Sequence, residues 1–174
     1  MLKKILIIVL AVLFVSVTIF FLLGYLNPSF TYVTRITIDQ PREDVWRLFS
    51  DETKLDEWLI GFKSIETLSG ERNAVGSKYK LRFSQDDKDI EVIEEVKEYR
   101  PPETFAFHLD SDFLSDDVRI DFNDLGGKTQ VVQTDHVTGA GVFSKSLLFW
   151  TRSHLTDAAR SNLESLKKFV EGAK

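Results

Sequence analysis

The side chains best suited to proton transfer near neutral pH are three histidines, and their spacing does not assemble them into a unit. His108 lies between Phe107 and Leu109 in an alternating run, so it points away from the face those two share. His136 adjoins Asp135, and adjacent strand residues face opposite ways, which makes the two a poor acid–base dyad. His154 follows Trp150 by four residues on a helical stretch, so the two share a face of that helix. Arg119 and Tyr99 are the other groups able to orient a reactive substrate. Three scattered histidines do not supply metal-ligand spacing, so no metal is expected. Gly70, Gly76, Gly126, Gly127, Gly139 and Gly141 read as turn glycines rather than a phosphate loop, and no cofactor is expected. The chain contains no cysteine, which removes disulfides and thiolate chemistry. The acidic runs Asp86, Asp87, Asp89 and Asp112, Asp116, Asp117 read as solvated turns.

What must position these residues begins with a helix that has no catalytic content. Ile5 to Leu26 holds no charge and is interrupted only by Ser16, Thr18, Gly24 and Tyr25. Its 22 residues span about 33 Å as a helix, enough for a hydrocarbon core of about 30 Å. A cleaved secretory signal would have a shorter apolar run and end in small residues, whereas this one ends LLGYLNPSF. The expectation is an uncleaved single-pass anchor. Lys3 and Lys4 are the only charges before Arg35, which places the N-terminus in the cytoplasm and the rest on the outer side, periplasmic or extracellular. The first 26 residues hold two lysines and no acid, so of 22 basic and 27 acidic residues the remainder keeps 20 and 27, about −7. That balance argues against a nucleic-acid partner.

The expected divisions are residues 1–26 as cytoplasmic start and transmembrane helix, 27–31 as a short linker, and 32–174 as one domain. Tyr32 to Asp39 alternates as a strand, Pro41 opens a short helix, and Thr53 to Ile60 fits a second. Six period-two segments follow without an intervening helix: Ile65–Ser69, Lys78–Ser84, Asp89–Tyr99, Glu103–Leu109, Asp117–Phe122 and Lys128–Val137. Parallel neighbours would need crossovers, so the expectation is an antiparallel meander. From Val142 to Gly172 the pattern is helical, with Phe143, Leu147, Trp150, His154, Ala158, Leu163, Leu166 and Val170 near one side.

This order of elements resembles the START-like helix-grip superfamily of lipid-transfer domains, birch-pollen-allergen proteins and aromatic polyketide cyclases and dehydrases. ITIDQPREDVWRLFSDETKLDEW (36–58), EEVKEYRPPETFAFHL (94–109) and SNLESLKKFVE (161–171) are similar to the superfamily's opening, central hairpin and close. The resemblance implies an α+β fold in which a curved antiparallel sheet of about six to seven strands wraps a long C-terminal helix around a cavity. It transfers no catalytic residue. By strand parity the cavity candidates are Leu81, Phe83, Phe105, Phe107, Leu109, Ile120 and Phe122, facing Phe143, Leu147, Trp150 and His154. The implied partner is a small hydrophobic molecule or lipid, with the membrane engaged through the N-terminal helix. A cyclase- or dehydratase-type enzyme and an interaction domain with a filled core are the alternatives.

Overall fold

The computed structural model describes residues 2–85 and 88–173. Helix α1, Leu2–Leu26, is long and apolar enough to cross a membrane. The Ser16 and Thr18 hydroxyls are satisfied within the helix, Ser16 donating to the Val12 carbonyl at 2.9 Å and Thr18 to that of Phe14 at 2.8 Å. Only Asn27 and Pro28 separate α1 from β1, Ser29–Ile38.

Helix α2, Arg42–Phe49, starts behind Pro41, whose fixed φ suits a helix start, and Glu43 and Asp44 complement the positive end of the helix dipole. The expected second helix over Thr53–Ile60 is shorter: a 3₁₀ turn at Glu52–Lys54 runs into α3, Leu55–Trp58. It stops there because Gly61, at φ 77°, turns the chain into the sheet. Six strands then follow in meander: β2 Phe62–Ser69, β3 Lys78–Gln85, β4 Lys88–Arg100, β5 Thr104–Asp110, β6 Leu114–Asp124 and β7 Thr129–Gly139. Asp86 and Asp87 lie outside the described residues. The seven strands form one antiparallel sheet in the order β1-β7-β6-β5-β4-β3-β2. One expectation fails at β6. In place of a start at Asp117 after a solvated turn, the strand begins at Leu114 and carries Asp116 and Asp117 within it.

Helix α4, Val142–Gly172, crosses the concave face. Its C-terminal half is fastened at both margins of the sheet. Lys167 Nζ donates to the Thr37 carbonyl at 2.7 Å, the Asp39 amide donates to Glu171 at 2.8 Å, and the Ile60 amide donates to Asn162 at 3.1 Å. Leu163, Leu166 and Val170 meet Ile38, Val131 and the α2 aromatics in a continuous core. The N-terminal half of α4 lies instead against α1. Gly24 is buried there, and a Cβ on it would fall on the Ser146 backbone, so glycine is what allows the two helices to touch. Phe20 and Phe143 pack one turn further along, ring centroids 6.0 Å apart.

Candidate functional site

Between the concave sheet, α4 and the α2–α3 turn lies a cavity of about 290 Å³. That is close to the lower end of small-molecule sites, roughly 300–1,000 Å³. Leu81, Phe83, Phe105, Phe107, Leu109 and Ile120 line it. The remaining sequence-derived candidates do not. Phe122 is buried in the core against Trp46 and Phe49, at 5.1 and 5.0 Å between centroids. Phe143 and Trp150 are 58% and 60% exposed, and neither Leu147 nor His154 reaches the lining. The reason is helical phase in the first half of α4. The buried stripe through Ser144, Leu148, Ala159, Leu163, Leu166 and Val170 is centred about 140° round the helix from Phe143, Leu147, Trp150 and His154. The cavity roof is made further along, by Leu155, Ala158, Ala159, Asn162 and Leu163.

The other two histidines face outward. His108 Nδ1 meets Asp117 Oδ1 at 2.7 Å, and His136 Nδ1 meets Thr31 Oγ1 at 2.8 Å. Arg119 is held on the outer face by Glu98 at 2.6 Å and Asp121 at 3.1 Å. Tyr99 does line the cavity, because an irregularity in β4 between Val96 and Glu98 resets the alternation. Among the described residues no cluster of three or more His, Asp or Glu could hold a metal ion.

Beside tyrosine, amide and serine side chains, the ionisable groups that enter are carboxyls. Strand pairing places Tyr79, Glu94, Leu109 and Asp116 in one row across the sheet. The next row holds Val96, Phe107, Val118, Asp135 and Tyr32. Glu94 and Asp116, two strand spacings apart, are separated by about 10 Å. Asp135 accepts a hydrogen bond from Gln133 Nε2 at 2.8 Å through Oδ1, while its Oδ2 and Asp116 Oδ1 are buried with no partner. Burial, with the nearby Glu52 charge, pushes the Glu94 carboxyl up to about 7. Burial and then the Asp135 and Asp117 charges push Asp116 up to about 7. Asp135 rises to about 6, again chiefly by burial, against the stabilising Gln133 hydrogen bond and the nearby Tyr32 hydroxyl. The Tyr32 hydroxyl is pushed upward by burial and by the Asp135 and Asp116 charges. Near neutral pH this wall of the cavity can therefore present either neutral acids that donate hydrogen bonds or carboxylates that attract positive charge.

Reading the acidic run as a turn conceals Asp116. The signal is nonetheless present in the sequence: Asp116 shares strand parity with Ile120 and Phe122, and Asp135 shares it with Val131 and Val137.

A concave antiparallel sheet closed over a cavity by one long helix defines a helix-grip protein. The chain belongs to the Polyketide cyclase / dehydrase and lipid transport family, whose family model matches residues 29–171. Among solved structures it is similar to TTHA0849 from Thermus thermophilus, with 22% identity, TM-score 0.68, and coverage of 83% of this chain and 99% of that one. A conserved protein from Geobacillus kaustophilus has 17% identity, TM-score 0.69 and coverage of 83% and 97%. The Zhui aromatase/cyclase from Streptomyces sp. R1128 has 12% identity, TM-score 0.61 and coverage of 81% and 96%. At these identities the likeness is one of fold alone. A comparison with curated protein sequences finds no match.

Proposed function

We propose that this chain is a membrane-anchored binding domain that takes a small hydrophobic molecule or lipid into the cavity between sheet and α4. The observation that carries the reading is the cavity itself, walled by aromatic and aliphatic side chains that a filled core would have brought into contact. Apolar surface moved there from water gains about 25 cal/mol per Å². The family description, which includes lipid transport, is compatible with this role. Ala158 lies on the α4 roof with its side chain partly in solvent, so Ala158→Phe should fill the cavity mouth without disturbing the core. Full-length chain purified in detergent is expected to release, on organic extraction, a small molecule seen by mass spectrometry and absent from the Ala158→Phe protein. Identical extracts, with no difference in uptake of added hydrophobic probes, would sink the proposal.

The carboxyls favour one further reading, proton-transfer chemistry on a bound substrate of the cyclase or dehydratase type, in which a neutral Asp116 or Glu94 acts as general acid. Turnover of an extracted ligand by the wild-type chain, lost in Asp116→Asn with binding retained, would separate catalysis from capture.

The anchor reading rests on the length and apolarity of α1 and on Lys3 and Lys4 at its start. Because the chain has no native cysteine, single introduced ones report topology cleanly. In intact cells a membrane-impermeant maleimide is expected to label Leu125→Cys, in the exposed β6–β7 turn, and to label Lys3→Cys only after lysis. The reverse pattern would place the domain in the cytoplasm.

A further inference from the structure

Resting on the binding role above, we propose that the cavity selects a hydrophobic ligand bearing a positively charged nitrogen, a protonated amine or quaternary ammonium, which seats against Asp116 and Asp135. Among the described residues, the lining contains four carboxyls, Glu52, Glu94, Asp116 and Asp135, and no Lys, Arg or His. No ion pair among the described residues engages Glu94, Asp116 or Asp135, although the outer face of the same sheet pairs its acids repeatedly, as at Arg119–Glu98 and Lys78–Glu95. Asp116 and Asp135 line the cavity while only 8% and 2% exposed; one oxygen of Asp116 has no partner, and Asp135 has beside it only the neutral groups Gln133 and Tyr32.

A buried carboxylate without a counter-charge is costly, and proteins that keep one supply a cation, a metal or a proton. The protein itself provides no cation here, and the carboxyls do not cluster as a metal site. A proton fills that role up to about pH 7, and above it a ligand nitrogen is the partner of matching chemistry. Asp116 and Asp135 stand diagonally across paired strands β6 and β7, so one cation between them can meet both. Their neighbours suit such a group. Eight aromatic residues line the cavity, including Tyr32 beside Asp135 and Phe107 beside Val118, and ring faces attract cations by their quadrupole. Where these acids are ionised, an anionic ligand would be repelled. The upward displacement of the three acids has the same origin, since burial without a counter-charge favours their protonated forms.

The test uses three probes with one apolar body and different charge: 1-naphthylmethylammonium, 1-naphthylmethanol and 1-naphthoate, titrated into the full-length chain in neutral detergent at pH 8. The ammonium is expected to bind about tenfold or more tightly than the alcohol, the scale of one charge-assisted contact, and the carboxylate more weakly than either. In the double variant Asp116→Asn/Asp135→Asn the ammonium-to-alcohol ratio should fall to about one. If the alcohol binds as well as the ammonium, the charge preference is refuted and the hydrophobic-cavity reading stands. If no probe binds, the cavity reading falls with it. If the ammonium preference survives the double variant, the assignment to these two carboxyls is wrong. The ranking on the unmodified chain decides the question even where the variants fail to fold.

Discussion

Raising the pH from 5 to 8 is expected to destabilise the ligand-free chain, by roughly 3 kcal/mol from Asp116 alone and a comparable amount from Glu94. The folded protein holds these protons up to about 7, whereas the unfolded chain releases them near 4. Between those values the folded state binds more protons, so stability falls as pH rises and the loss is complete above about 7. Asp135 adds a smaller loss of the same sign that ends near 6. Because the acids repel one another, their effects will not sum. The exposed acids held below the usual range by ion pairs, Glu91 beside Arg82 and Glu98 beside Arg119, already make their contribution by pH 5 and do not oppose the trend. For a chain of this size the unfolding midpoint should drop by about 10 °C. Calorimetry in neutral detergent checks this. Glu94→Gln and Asp116→Asn should each flatten the pH profile, and a flat profile in the unmodified chain would show that these carboxyls are not buried in this way.

Trp46→Ala is expected to cost about 3–5 kcal/mol, lowering the unfolding midpoint by roughly 10 °C. Trp46 is 6% exposed at the junction of α2 with the sheet. Its ring meets Phe122 edge-on at 5.1 Å, Tyr99 at 5.5 Å and Phe49 at 6.1 Å, so truncation opens a void that fixed strands cannot close. Trp150→Ala changes the same residue type on α4 where it is mostly solvent-facing, and should alter stability by no more than about 0.5 kcal/mol. Equal losses at the two positions would contradict this packing of α4.

The contrast between these tryptophans also marks what is legible in the sequence. Period-two alternation in the central strands, Pro41 before α2 and the apolar period of α4 are local properties, and they foretell the meander, the first helix and Val142–Gly172 as one helix. Strand parity likewise places Leu81, Phe105 and Ile120 on the cavity side. Helical phase is harder to read. Phe143, Leu147 and Trp150 are apolar, but burial in the domain is not the only cause of apolarity, and the first half of α4 has α1 as a neighbour. The acids escape notice for a related reason. Composition treats Asp as a surface residue; the parity of Asp116 with Ile120 and of Asp135 with Val131 hints otherwise, and the ladder, by setting Asp116 beside Leu109 and Asp135 beside Val118, shows which carboxyls lost their water.

The seat of Gly24 on Ser146, together with a two-residue connection at Asn27 and Pro28, leaves no hinge between α1 and the domain. The uncharged stretch of α1, Ile5 to Leu26, is about 33 Å long, slightly more than a hydrocarbon core of about 30 Å, and in a bilayer such an excess is relieved by tilting. On the anchor reading proposed above, the domain leans with it. Bilayer thickness would then set the angle at which the cavity meets the lipid surface, so that thicker and thinner membranes present the same binding site in different poses.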